Sequence, residues 1–396
     1  MSVLLKRIIA SLSLCIGSAS ICAAQIAPDR TASTASDLTP AASATQEPWN
    51  DPALTTGSIP RDPDPQPLPH QSDTGGLSGQ DLKIPAEDLI VLTNAAQFIG
   101  TPPRSGKQDP FVLKLQIMLD RAHASPGVID GYWGDNVRKA VLAAREMLGL
   151  PLSGNIDRQL WQALEQFDPT PPLRAYTVTE KDAAGPFVPE MPKDYGELAK
   201  LERIAYRTIE EMLAERFHMD EKLLRQLNPK ARFVVGEEII VADTGKPFKA
   251  TVAQLIADKQ RKQLLGYGGD GRLLVAYPAT IGSTTTPSPT GVHAIKAIAV
   301  GAEYWYRPQV NFKQGNNDKP LRLAPGPNNP IGSVWIGLDK PTFGIHGTPE
   351  PSKIDKSNSH GCVRLTNWDV EELVKLVKPG VPVEFYDPTS MVGAAQ

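Results

Sequence analysis

Between Gln25 and about Lys107 the chain consists largely of Ala, Ser, Thr, Pro and Gly, with Pro63, Pro65, Pro67 and Pro69 at alternate positions and Trp49 nearly alone among aromatics. Such sequence cannot bury enough apolar surface to offset the entropy of ordering it, so residues 25–107 read as a disordered, partly extended tether. Within it, Leu89, Leu92 and Ala95 fall at helical spacing and predict one short helix from about Pro85 to Phe98. A chain of 396 residues exceeds what one hydrophobic core normally organises. The globular part is therefore shorter than the chain and is expected to hold more than one domain.

Lys6-Arg7 precedes the apolar run Ile8 to Ile21, and Ala23-Ala24 follow it, which are the three regions of a secretory signal peptide. The run is shorter than the roughly 20 residues that a membrane span needs. Cys15 and Cys22 follow the bulky Leu14 and Ile21, where a lipoprotein signal wants a small residue. The expectation is a signal peptide over 1–24, no lipid anchor, and a periplasmic or wall-associated mature protein. Loss of Lys6 and Arg7 with that segment takes the net charge from −3 to −5, which argues against nucleic acid as a partner. Cys362 is then the only cysteine left, with no intramolecular partner in an oxidising compartment.

Beyond the tether the texture changes three times. From 108 to 167, Leu115, Ile117, Met118, Val137, Ala140, Val141 and Leu148 suit two or three short helices around the turn Gly131 to Gly134. From 175 to 244, strand-like runs at Tyr176 and at Gly236 to Val241 flank helical runs Glu210 to Phe217 and Leu223 to Leu227, with a Glu/Lys-rich helical stretch expected from Tyr195 to Tyr206. From 248 to 387, Ala250 to Ile256, Leu273 to Tyr277, Val292 to Val300 and Ser333 to Leu338 read as short strands between Gly, Pro and Asn clusters. One helix closes this region, with Thr366 to Asp369 as its capping box and Val370, Leu373, Leu376 and Val377 facing inward. Residues 388–396 form a tail.

Chemistry concentrates in that last region. Gly344-Ile345-His346-Gly347-Thr348 is followed, sixteen residues from histidine to cysteine, by Ser359-His360-Gly361-Cys362-Val363-Arg364-Leu365. A free thiol is only a few per cent thiolate at neutral pH, so its use as a nucleophile requires a base beside it, and imidazole is best matched to that task. If Phe343 to His346 is a strand that buries Phe343 and Ile345, His346 projects away from the core. By the same rule, if 360 to 364 is extended, His360, Cys362 and Arg364 share a face. Gly361 lets the backbone approach a substrate closely, and the amides of Gly361 and Cys362 are placed to donate to an oxyanion. A structural cysteine, or a metal site of His346, His360 and Cys362, is the alternative.

These residues closely resemble the signature of the L,D-transpeptidases, the YkuD-type catalytic domain, with the similarity running from about Thr251 through Gly282, Pro289 to Gly291 and Trp335 to Gly337, up to Val383. Asp130 to Gly134, Gly149-Leu150 and Gly154 to Asp157, ending at Trp161 and Leu164, resemble the small peptidoglycan-binding domain; Ala144-Arg145 and Asn136 depart from its pattern. The region from Tyr176 to Val241 is similar to a LysM module. Together they imply a multidomain chain: a mainly β catalytic domain, a β-sandwich with one closing helix, preceded by a small all-α domain and an α+β segment.

The resemblance implies that Cys362 attacks the carbonyl between the third and fourth residues of a peptidoglycan stem peptide, releases the terminal D-residue and passes the acyl group to an amine. It makes His346 the base, the Gly347 carbonyl its orienting group, and His360 and Gly361 the shapers of the oxyanion side. Ser359 and Arg364 support the loop or meet a substrate carboxylate, with a salt bridge from Arg364 to Asp369 as the other reading of the arginine. No metal or cofactor is implied, carbapenems are expected to acylate the thiol, and removal of His346 is expected to raise the thiol pKa. Hydrolysis, attachment of a protein amine to the wall, or a non-catalytic wall-binding role are the competing readings.

Overall fold

A computed structural model of the protein describes residues 84–100, 106–283, 286–356, 359 and 361–387, so the expected signal peptide, most of the tether, His360 and the tail lie outside the described residues. The predicted short helix is α1 (Ala86–Ala95), but its buried residues are Leu89 and Thr93, whereas Leu92 is 50% exposed. Positions four apart stack on one helix face, and the Leu89/Thr93 face is the one turned inward.

Three helices follow: α2 (Pro110–Arg121), α3 (Asp135–Met147) and α4 (Arg158–Phe167). Asp109 caps α2 by accepting the Phe111 N–H at 2.8 Å, with Pro110 at the first helical position, and Asp157 caps α4 by accepting the Leu160 N–H at 2.8 Å. The turn between α2 and α3 is held by Gln116, whose carbonyl accepts the N–H groups of Asp130 and Gly131 while its amide donates to the Asp130 carboxylate. Arg145 is buried and donates to the Pro151 carbonyl and the Asp157 carboxylate, at 2.5 and 2.9 Å. It ties α3 to the start of α4.

The next segment holds β1 (Leu173–Thr177), the one-turn α5 (Glu180–Ala183) and α6 (Tyr195–Leu198), then α7 (Ile209–Arg216), α8 (Glu221–Leu227) and β2 (Glu238–Ala242). β1 and β2 pair antiparallel, from Leu173 opposite Ala242 to Thr177 opposite Glu238. The helix expected over Tyr195 to Tyr206 stops at Leu198. Tertiary packing overrides its local pattern: Leu198 and Ile204 are buried against Leu323 and Ala324, and the Ile204 N–H is spent on the Pro325 carbonyl.

The last region is mainly β. Its strands are β3 (Gln254–Asp258), β4 (Gln263–Tyr267), β5 (Leu273–Pro278), β6 (Thr280–Ile281), β7 (Gly291–Val300), the hairpin β8 (Tyr304–Tyr306) and β9 (Leu321–Leu323), β10 (Val334–Leu338), β11 (Gly344–His346), β12 (Val363–Arg364) and, after α9 (Asn367–Leu376), β13 (Pro382–Tyr386). Among the described residues nine strands join in the order β5-β4-β3-β13-β7-β10-β11-β12-β6. β7 links two ladders, pairing with β13 through its first residues and with β10 through Ile295 to Val300. Leu255, Leu264 and Val275 of one ladder, Ile336, Ile345 and Val363 of the other, and Val370, Leu373 and Leu376 of α9 close a single core. Thr366 accepts the Asp369 N–H at 3.1 Å and so starts α9 where its capping pattern predicts.

The segments share their cores. Leu113 and Ile117 of α2 pack with Leu173, Leu213 and Val241, while Leu115, Met118 and Leu119 pack with α3 and α4 and with Leu265, Leu273 and Ala276 of the large sheet. α2 is buried on every face, its Lys114, Gln116, Asp120 and Arg121 included, and is the wedge between its neighbours. Backbone bonds from Ser125 to Ala276 and from Ala276 to His123 cover the β5 edge, which would otherwise present unpaired groups.

Candidate active site

β11 lies between β10, antiparallel with Trp335 opposite His346, and β12, parallel with Ile345 beside Val363 and His346 beside Arg364. Ile345 and Val363 are wholly buried in the core, so strand alternation puts Trp335, Gly344, His346 and Arg364 on the opposite face. The Trp335 indole occupies the space above Gly344, where a Cβ would come within 2.6 Å of it. That indole then stacks on the His346 imidazole, with ring centres 5.7 Å apart and planes at 23°. Gly344 makes room for the ring that fixes the histidine. Trp335 was visible in the sequence only as part of the resemblance, because its contact with His346 arises from strand register.

His346 is buried, and its Nδ1 donates to the Gly347 carbonyl at 2.7 Å. A carbonyl oxygen can only accept, so Nδ1 carries the proton and Nε2 keeps a free lone pair. Burial first, and then the Arg364 guanidinium, hold the imidazole pKa down to about 3, while the Gly347 bond acts in the opposite direction. Burial likewise pushes the Cys362 thiol up to about 11, against the Gly344 N–H and Arg364, which favour the thiolate. Its Sγ lies 3.7 Å from the Thr342 carbonyl. The resting site therefore holds a neutral thiol and a neutral imidazole, a base with its lone pair available.

Ser359 and Gly361, ahead of β12, are closely held. Gly361 has φ of +99°, and a Cβ there would lie 2.6 Å from the Phe343 ring and 3.0 Å from the Pro287 carbonyl. Only glycine suits that position. Ser359 is buried; its hydroxyl donates to the Cys362 carbonyl and accepts the Gly282 N–H, both at 2.7 Å. Its side chain is thus committed to holding the loop, and a contact with a substrate carboxylate would break these bonds. His360 lies outside the described residues.

Arg364 does not pair with Asp369. The Asp369 carboxyl is buried on the far side of α9 with Thr366 and Ser125, where burial raises its pKa to about 7. Arg364 instead lines a cleft of about 1160 Å³ together with Tyr195, Thr348, Glu350 and Asn328, and its Nε is buried without a hydrogen-bond partner. Glu350 favours its charge, but that carboxylate is bonded to Lys353 at 2.5 Å.

Behind the histidine, Asn367 packs so closely on Gly347 and Gly332 that a Cβ at either would lie 2.2 Å from its Oδ1. Its amide donates to Glu215 of α7 at 2.9 Å and to the Pro327 carbonyl at 3.1 Å. Burial pushes the Glu215 carboxyl up to about 8, from an ordinary 4.5. A raised folded pKa contributes stability that is complete below about 4.5 and fades as pH rises to about 8. Glu215→Gln keeps an acceptor for Asn367 and cannot ionise. Its stability relative to the parent is expected to climb between about pH 5 and pH 8, by about 1 kcal/mol per pH unit, and then level off, with the relative Tm following it. Thermal melts at three pH values check this; a constant offset would mean that Glu215 is ionised in the fold.

Among the described residues no group of three or more His, Cys, Asp and Glu side chains is arranged to hold a metal ion. The expected metal alternative includes His360, so it falls partly outside them.

Residues 253–385 match the family model of the YkuD L,D-transpeptidase catalytic domain, and residues 108–164 match the model described as "Putative peptidoglycan binding domain". The chain is 30% identical over 173 residues to the Bacillus subtilis protein named "Putative L,D-transpeptidase YkuD", covering 43% of this chain and 89% of that one. Among solved structures, an Enterococcus faecium L,D-transpeptidase is 21% identical, with a TM-score of 0.26, over 35% of this chain and 50% of that one. The catalytic domain of an E. faecium L,D-transpeptidase acylated by ertapenem is 21% identical, with a TM-score of 0.25, over 35% of this chain and 100% of that one. With His346 on β11 and Cys362 directly before the adjoining β12, both inside the matched range, the chain belongs to the YkuD family of L,D-transpeptidases.

Proposed function

We propose that the protein is an exported peptidoglycan L,D-transpeptidase that works through a thioester on Cys362. The observation that carries this reading is the His346 tautomer: Nδ1 is held on the Gly347 carbonyl, which leaves Nε2 as a free base on the strand beside the one that follows Cys362. Nε2 takes the thiol proton as sulfur attacks the carbonyl between the third and fourth residues of a stem peptide. The amides of Gly361 and Cys362 receive the developing oxyanion, on the side that His360 helps to shape. Collapse breaks the C–N bond, and the imidazolium returns its proton to the departing amine of the D-residue. An acceptor amine then attacks the thioester, its proton passes to Nε2, and the C–S bond breaks with the proton restored to sulfur.

Arg364, lining the cleft with its Nε unpaired, suits a substrate carboxylate. The match of residues 108–164 to a wall-binding domain supports peptidoglycan as the substrate, and the Lys6 to Ala24 pattern supports action in the periplasm or at the wall. The acceptor is the amine of a neighbouring stem, giving a link between third residues. Incubation of the mature protein with tetrapeptide-rich wall material, followed by mass analysis, tests this. Dimers joined through third residues are expected; tripeptides alone would make it an L,D-carboxypeptidase, and no released D-residue would make it a binding protein.

A further inference from the structure

Val188 to Tyr206 lies outside both matched ranges, 108–164 and 253–385, yet it is built into the wall of the cleft that Arg364 lines, two residues from Cys362. Asp194 accepts the N–H groups of Gly196 and Glu197 on one oxygen and the Asn317 amide on the other, at 2.9 Å. Gln314, between β8 and β9, accepts the Tyr195 N–H and donates to the Lys193 carbonyl, both at 3.0 Å. A Cβ on Gly326 would lie 2.1 Å from the Ile204 carbonyl, so the segment and the catalytic domain meet backbone to backbone.

Of the residues by which this segment lines the cleft, Tyr195 also packs on the β8 hairpin. The Tyr195 ring meets Tyr304 and Tyr306 of β8 edge-on, with centres 6.2 and 5.2 Å apart. Burial raises the pKa of both phenols; a thiolate at Cys362 would add to this at Tyr304, and the Arg364 guanidinium opposes it at Tyr195. Tyr195 and Arg364 line the same cleft, and the Arg364 Nε has no partner. A phenol and a guanidinium facing one space form a two-donor arrangement suited to a carboxylate.

We propose that Tyr195 is a specificity-determining residue, which joins Arg364 in reading a free carboxylate on the peptide presented to Cys362 and is supplied by a segment outside the catalytic fold. The proposal rests on the carboxylate reading of Arg364 given above.

Tyr195→Phe keeps the ring that packs on the hairpin and removes only the hydroxyl. The test compares the full mature chain, Tyr195→Phe and Arg364→Gln on a tetrapeptide with a free C-terminal carboxylate and on its C-terminal carboxamide. The parent is expected to prefer the acid. Tyr195→Phe should cut that preference about tenfold, mainly through KM for the acid, as loss of a hydrogen bond to a charged group requires. Alkylation of Cys362 by iodoacetamide should keep the parent's pH profile, which a collapsed hairpin would not preserve. An unchanged preference in Tyr195→Phe, or equal losses on both peptides, overturns the role of Tyr195. If Arg364→Gln keeps the preference and Tyr195→Phe loses it, the reading of Arg364 fails while Tyr195 stands. No preference in the parent overturns both.

Discussion

Cys362→Ala is expected to leave no measurable release of D-amino acid from a tetrapeptide stem and a fold indistinguishable from the parent by circular dichroism. Removing the nucleophile removes the covalent path itself, so the loss is total rather than graded. The structural cost is small, because the residue is half-buried and its Sγ makes only weak polar contacts, with the Thr342 carbonyl at 3.7 Å and with the Gly344 N–H. The same variant decides where inhibitors react. A carbapenem should add one drug mass to the parent and none to Cys362→Ala. Turnover or an adduct retained in the variant would move the nucleophile elsewhere in the chain.

His346→Ala is expected to lower acylation by a stem peptide by about 10²- to 10⁴-fold, the usual worth of a positioned general base. The thiol profile should change in the direction opposite to that expected from sequence. An ion-paired cysteine would lose its partner with His346, and its pKa would rise. Here burial holds the imidazole near 3 and the thiol near 11, so there is no pair to lose. Removing the ring admits water beside the sulfur, relieves the burial that dominates its shift, and should bring the thiol down toward its ordinary 9.0. Iodoacetamide alkylation should thus rise with pH in the parent with no plateau at low pH, and its midpoint should fall in the variant. A low-pH plateau that disappears in His346→Ala would establish a resting ion pair instead. If His360→Ala abolishes acylation while His346→Ala retains it, the base is the other histidine.

Local patterns carried much of the fold. The N-cap at Thr366, the inward residues of α9 and the strand runs at Leu273, Val292 and Ser333 lie where spacing and turn residues put them, although the Asp369 carboxylate does not return the bond that would complete a capping box. Strand alternation placed Ile345 in the core and His346 on the opposite face, a consequence of a side-chain period of two that needs no partner strand. The same logic failed at Leu92, because spacing names a helical face without saying which face finds a neighbour. It failed again after Leu198, where the bond from Ile204 to Pro325 and burial against Leu323 outweigh helical propensity.

The sequence by itself determined the candidate pair His346 and Cys362, the glycines that hold its loops, the β texture of the region around it and the helical texture before it, since each is written within a few residues of chain. Only the tertiary structure decided how the histidine is held and what surrounds it. Trp335 reaches His346 through strand register, Asn367 reaches Glu215 across 152 residues, and Tyr195 arrives from a segment that no local signal ties to the site. Those contacts depend on how separate faces fit together in a close-packed interior, and a local period specifies a face without naming its partner.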